Sequence, residues 1–243
     1  MKIFKLLTVL ATFFTLTSCT FTEEITFEKN GSGKYDLQMD LGGMMSMVGA
    51  MQDSTSTEMP EKMDTIVYMK DLLEANSESI GDLSASEKEV YDALKDMKMH
   101  MKMDTEASTW TMDFMLDFKN SSELDNIQEK VKMAQKLQEN KVEEADPTNH
   151  KVTYVYGKKK FERKVEMLKL TDAQQAAFDE SMESSAMFMG GSTYKIKYNF
   201  PKKIKSTTLT DAVISEDGKT LTYEIEMDKA LNDPKLLDFV VKF

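Results

Sequence analysis

The chain has 243 residues, with 31 basic against 42 acidic side chains and a net charge of −11. A body this acidic is repelled by phosphate backbones and anionic head groups, which argues against nucleic acid as a partner. Its one cysteine excludes an intrachain disulfide, and its 21 methionines are the outlier of the composition.

Residues 1–18 read as a secretory signal peptide. Lys2 and Lys5 form a basic start, and the apolar run Leu6 to Leu16 is broken only by threonines. That run is too short for a stable membrane span, and small residues follow it. The segment Leu16-Thr17-Ser18-Cys19 resembles the bacterial lipobox: a branched apolar residue, two small residues, then cysteine. The resemblance implies that the Cys19 thiol is acylated and becomes the mature N-terminus. It also implies a membrane partner reached through that covalent lipid, and a place in the cell envelope, at the outer membrane. Each buried methylene adds about 0.8 kcal/mol, so several acyl chains anchor firmly. Residues 19–24 then read as a lipidated polar tether and 25–243 as the folded domain. Glu23 and Glu24, close behind the cysteine, loosely resemble a surface-export signal of Bacteroidetes lipoproteins.

A hairpin follows. Ile25 and Phe27 share one face of its first strand, and Tyr35, Leu37, Met39 and Leu41 share one face of the return strand. Asn30-Gly31-Ser32-Gly33 supplies residues that tolerate positive φ at a turn. With Lys34 opening a strand, this loop lacks the earlier glycine and the following helix of a phosphate-binding loop. Met44, Met47, Val48 and Met51 suggest a short helix, and residues 53–60 a loop. Asp53-Ser54-Thr55 and Asp64-Thr65-Ile66 match a short Bacteroidetes O-glycosylation pattern, which ordinary loop and cap residues also satisfy. Ile66, Met69 and Leu73 recur at helical spacing, predicting a helix over 62–75. Val90, Leu94 and Met97 predict another over 86–96, with Ser86 and Glu89 as its capping box.

Residues 97–104 read MKMHMKMD. On a strand, alternate side chains share a face. Met97, Met99, Met101 and Met103 therefore point one way, and Lys98, His100, Lys102 and Asp104 the other. The next strand alternates too, with Trp110, Met112, Phe114, Leu116 and Phe118 on one side. The short joint at 105–108 pairs the two runs as a hairpin. A helix opens at Ser122 and runs to about Leu137. The polar stretch 138–150, with Pro147, is the best candidate for an internal boundary.

Beyond it, 152–156 and 161–168 form a third hairpin. Thr171 with Gln174 caps a helix to Met189, which Gly190-Gly191 ends. A strand over 193–200 stops at Pro201, a hairpin turns at Glu216-Asp217-Gly218, and LLDFVVKF closes the chain as a strand. The expected fold class is α+β: antiparallel sheets built from hairpins, with four or five helices packed on one face. The segments YKIKYNFPKKIKSTT and AVISEDGKTLTYEIEM resemble the C-terminal part of Bacteroidetes lipoproteins of uncharacterised function. They also loosely resemble LppM-type lipoprotein domains, which implies a slight link to envelope lipids. The matching positions are turn punctuation, so no functional residue is carried over.

No His-Glu-x-x-His pattern and no Gly-x-Ser-x-Gly elbow occurs, and on the lipobox reading the cysteine is taken by lipid. The reading is therefore non-catalytic: a lipid-anchored binding or structural module for an apolar ligand or an envelope protein. Met97, Met99, Met101, Met103, Trp110, Met112 and Phe114 are its candidate lining, either as packed core or as the wall of a space. Thioether sulfurs select cuprous copper, so a copper-handling protein is the alternative. Strand parity separates His100 from the sulfurs, and no metal ligand is assigned. An envelope hydrolase is a second alternative, since paired carboxylates abound.

Overall fold

In a computed structural model, residues 19–45, 61–71, 85–131 and 148–243 are described. They form a mixed, mostly-sheet architecture of two sheets. The strands in chain order are β1 (Thr20–Phe27), β2 (Gly33–Asp40), β3 (Lys62–Tyr68), β4 (Lys98–Asp104), β5 (Thr109–Phe118) and β6 (His150–Tyr156). They continue as β7 (Lys160–Met167), β8 (Thr193–Asn199), β9 (Ser206–Thr207), β10 (Val213–Ile214), β11 (Thr220–Glu226) and β12 (Phe239–Lys242). The helices are α1 (Ala85–Leu94), α2 (Asp172–Met189) and α3 (Met227–Asn232). Residues 127–131 are also helical.

Eight strands form one sheet in the order β10-β11-β8-β1-β2-β5-β4-β3, and β6-β7-β12-β9 form the other. Pairing is antiparallel except between β1 and β8, which run parallel in register from Thr20↔Thr193 to Thr26↔Asn199. That parallel pair departs from the all-antiparallel expectation. A crossover spanning most of the chain makes it possible, because parallel neighbours need a long connection.

Period-2 patterning builds the large sheet. Strand β1 alternates strictly between half-buried and buried residues, and β8 does the same. The buried rows Phe21, Ile25, Phe27 and Tyr194, Ile196, Tyr198 face the four-stranded sheet. There Phe27 stacks on Tyr156 at 4.8 Å and Phe161 meets Tyr198 edge-on at 5.6 Å. Over β1 and β8, then, the cover is a second sheet and not the helices expected from sequence. The reason is the inward row of β6 and β7, Val152, Tyr154, Phe161 and Val165, all of it buried.

Three further expectations are corrected. Residues 20–24 are no tether, since β1 begins at Thr20. Residues 62–68 are a strand and 69–71 are helical, while 72–75 lie outside the described residues. Thr65, Ile66 and Val67 are β-branched and pair with β4, which outweighs the helical spacing of Ile66 and Met69. The helix expected from Ser122 begins instead as a 3-10 turn, Ser121–Leu124, capped by Asn120 and Glu123. Its later part, the boundary candidate at 138–147 and the methionines at 47 and 51 lie outside the described residues. The α2 prediction holds at its start: Gln174 N–H donates to Thr171 Oγ1 at 3.3 Å, and Thr171 N–H donates to Gln174 Oε1 at 3.0 Å.

Among the described residues, no helix is long and apolar enough to cross a membrane.

Candidate functional site

The methionine face is real but uneven. Cross-strand partners share a face, and the register gives three rows. Leu37, Phe114, Met99 and Val67 form one; Met39, Met112, Met101 and Thr65 the next; Trp110, Met103 and Met63 the third. Phe114 and Met103 are buried, as is Met97 just before β4. Met39, Met99 and Met112 are partly buried and pack against the core. Met101 and Trp110 are partly exposed and lie outside that core. The predicted lining thus divides into buried anchors and a partly exposed, open part.

His100 lies on the opposite face, as strand parity predicts. Its Nε2 is 2.7 Å from Asp64 Oδ1, and its Nδ1 is 3.6 Å from Asp113 Oδ2. The hydrogen bond with His100 holds the Asp64 carboxyl below the usual range, while burial pushes the Asp113 carboxyl up. Asp64, Thr65 and Ile66 of the glycosylation-like pattern are all exposed, Asp64 and Ile66 on this face and Thr65 on the methionine face. Among the described residues, no group of three His, Cys, Asp or Glu side chains could hold a metal ion.

Cys19 stands at the start of β1, 8% exposed, and its carbonyl accepts from Thr193 N–H at 3.0 Å. Burial, then the nearby Asp40 carboxylate, raises its thiol pKa. Leu16, Thr17 and Ser18 lie outside the described residues.

A buried polar cluster sits between the two sheets, and the sequence reading missed it. Glu23, on β1, is 0% exposed. Its Oε1 accepts from Tyr198 and from Tyr154 at 3.1 Å. Its Oε2 accepts from Tyr194 and from Gln128 Nε2 at 2.9 Å. Arg163, on β7 of the facing sheet, brings Nε to 3.9 Å from Oε1 and donates from Nη1 to the Leu237 carbonyl at 2.8 Å. Its guanidinium also lies 5.7 Å from the Tyr154 ring centre. Buried charge is tolerated only when it is paired and hydrogen-bonded, and here it is both. Burial, reinforced by Glu23, raises the hydroxyls of Tyr35, Tyr154, Tyr194 and Tyr198 above the ordinary tyrosine range. Burial alone would lower the Arg163 pKa, but Tyr154 and Glu23 reverse this and leave it raised.

A signal for this cluster did exist. Glu23 shares strand parity with Phe21, Ile25 and Phe27, and Arg163 shares it with Phe161 and Val165. Two opposite charges at inward positions of apolar strands point to a buried pair. The tether reading of residues 20–24 concealed the first of them.

Two concavities lie nearby. A narrow cleft of about 260 Å³, counted with its open mouth, is lined by Asn126, Ile127, Gln128, Glu129, His150, Val152 and Tyr154. Gln128 and Tyr154 therefore line the cleft while bonding to Glu23 behind it. A wider groove of about 510 Å³, counted in the same way, is lined in part by Lys34, Asp36, Asp96, Lys98 and Asp117. The Asp36 carboxyl is pushed up there, chiefly by burial.

No family model, no curated protein and no solved structure matches this chain.

Proposed function

We propose that this protein is a lipid-anchored envelope module that binds and does not catalyse, and that its binding surface is the open part of the methionine face. The observation that carries this is the partly exposed pair Met101 and Trp110, continuous with Met99 and Met112. Methionine is a long, polarisable and adaptable side chain, suited to an acyl chain or an apolar side chain of varying shape. The anchoring part rests on the Leu16-Thr17-Ser18-Cys19 pattern. The non-catalytic part is supported by the Glu23 cluster, whose carboxylate is enclosed and whose oxygens both already accept two hydrogen bonds. Acid–base chemistry needs a group within reach of substrate.

Native mass spectrometry of the body purified from its own host tests the binding reading. Co-purified lipid that is lost in Met101→Lys supports it. A body that carries nothing apolar, and retains copper under cuprous loading, replaces it with the copper alternative. Cys19→Ser tests anchoring separately: the variant is expected to leave the membrane fraction, and full retention there refutes the lipid attachment.

A further inference from the structure

Among the described residues, four buried side-chain atoms have no hydrogen-bond partner, and two of them, the Tyr35 hydroxyl and Arg163 Nε, lie beside Glu23 in the core between the sheets. Both side chains are enclosed, at 1% and 2% exposed. Strand register and contact put them in one cluster: Tyr35 stands opposite Ile25, the next inward residue of β1 after Glu23, and Arg163 meets Glu23 from the facing sheet. Arg163 Nε stands 3.9 Å from Glu23 Oε1, beyond direct hydrogen bonding. Glu23 Oε1 is engaged by Tyr154 and Tyr198, and Oε2 by Tyr194 and Gln128.

Native interiors seldom leave such groups unmade, since each then loses its hydration with nothing in return. What would serve them is constrained by charge and size. One carboxylate and one guanidinium already balance, so a cation or an anion would unbalance the cluster. An apolar guest would leave both atoms orphaned. The guest must be small and neutral, and must both donate and accept. Buried waters have these properties and typically make about three hydrogen bonds to otherwise unsatisfied groups.

We infer that Tyr35 and Arg163 hold one buried water molecule between the two sheets. It accepts from Arg163 Nε–H and exchanges a hydrogen bond with the Tyr35 hydroxyl. Tyr35 and Glu23 belong to the eight-stranded sheet and Arg163 to the four-stranded one. The water is thus part of the joint between them.

A high-resolution crystal structure of the protein, with thermal unfolding of Tyr35→Phe, tests this. The wild type is expected to show a solvent peak within about 2.7–3.2 Å of both Tyr35 Oη and Arg163 Nε. Tyr35→Phe keeps the ring, so it is expected to fold, to lose the peak and to melt about 2–4 °C lower. If Tyr35 is simply unserved, removing its hydroxyl leaves the melting temperature unchanged or raises it. Either that result, or a wild-type map with no solvent at this point, overturns the inference.

Discussion

Gly33 begins β2 where there is no room for a side chain. A Cβ built there would lie 2.0 Å from the Thr26 carbonyl oxygen and 2.6 Å from the Phe118 ring. Gly33→Ala must push backbone apart and is expected to cost about 1–3 kcal/mol or more, seen as a lower urea midpoint at unchanged slope. The Glu23–Arg163 pair makes a second residue-scale prediction. Arg163→Met leaves the carboxylate enclosed without its cation, and such losses run to about 3–5 kcal/mol. Adding Glu23→Gln to that variant is expected to recover part of the loss in the same urea titration. The tyrosines set the alkaline limit. Their hydroxyls titrate higher when folded than when unfolded, so the folded state holds protons that the unfolded chain gives up. Their stabilising contribution is complete below about pH 10, the unfolded tyrosine value, and declines as pH rises above it. Tyrosinate absorbance for Tyr35, Tyr154, Tyr194 and Tyr198 is expected to appear together with loss of near-ultraviolet ellipticity. Its appearance while the fold persists would contradict their burial.

At the scale of elements, α2 stands apart. Residues 172–177 are exposed, so its first turns rely on local bonds more than on packing. Thr171→Ala removes the cap and is expected to cost about 1 kcal/mol. The loss should appear as faster amide exchange confined to α2; faster exchange throughout the sheets would mean that the helix is bound into the core. Strand β3 shows the opposite dependence. Its apolar residues do not alternate cleanly, because it has a partner on one side alone among the described residues, and Ile66 is 54% exposed. Only its register against β4, from Lys62↔Asp104 to Tyr68↔Lys98, makes it a strand.

For the whole molecule, the start of β1 sets the geometry of anchoring. Thr20 is already in the sheet, opposite Asp40 and beside Thr193, so the lipid-anchored reading leaves no spacer between Cys19 and the body. That end of the sheet would rest on the bilayer. The turn at Asn30 would stand about 25 Å away, given eight strand residues at about 3.3 Å each. A fluorophore on Asp40→Cys is expected to be quenched by lipid-borne spin labels, and one on Asn30→Cys to be spared. Equal quenching at both positions would mean that the body lies flat or swings freely.

Much of this architecture was legible in the residues alone. The hairpins β1–β2, β4–β5 and β6–β7, the cap of α2 and the split of His100 from the methionines all follow from period-2 alternation and turn chemistry. Those are local rules, satisfied within a few residues. Tertiary structure decided the rest. It paired β1 parallel to β8, covered those strands with a second sheet, turned 62–68 into an edge strand and drew Glu23, Arg163 and the tyrosines into one enclosed cluster. Each of these joins residues far apart in the chain, as Glu23 is from Tyr198. Parity shows which face a residue takes. Only packing shows what meets it there, because partners are chosen by shape and charge across the whole fold.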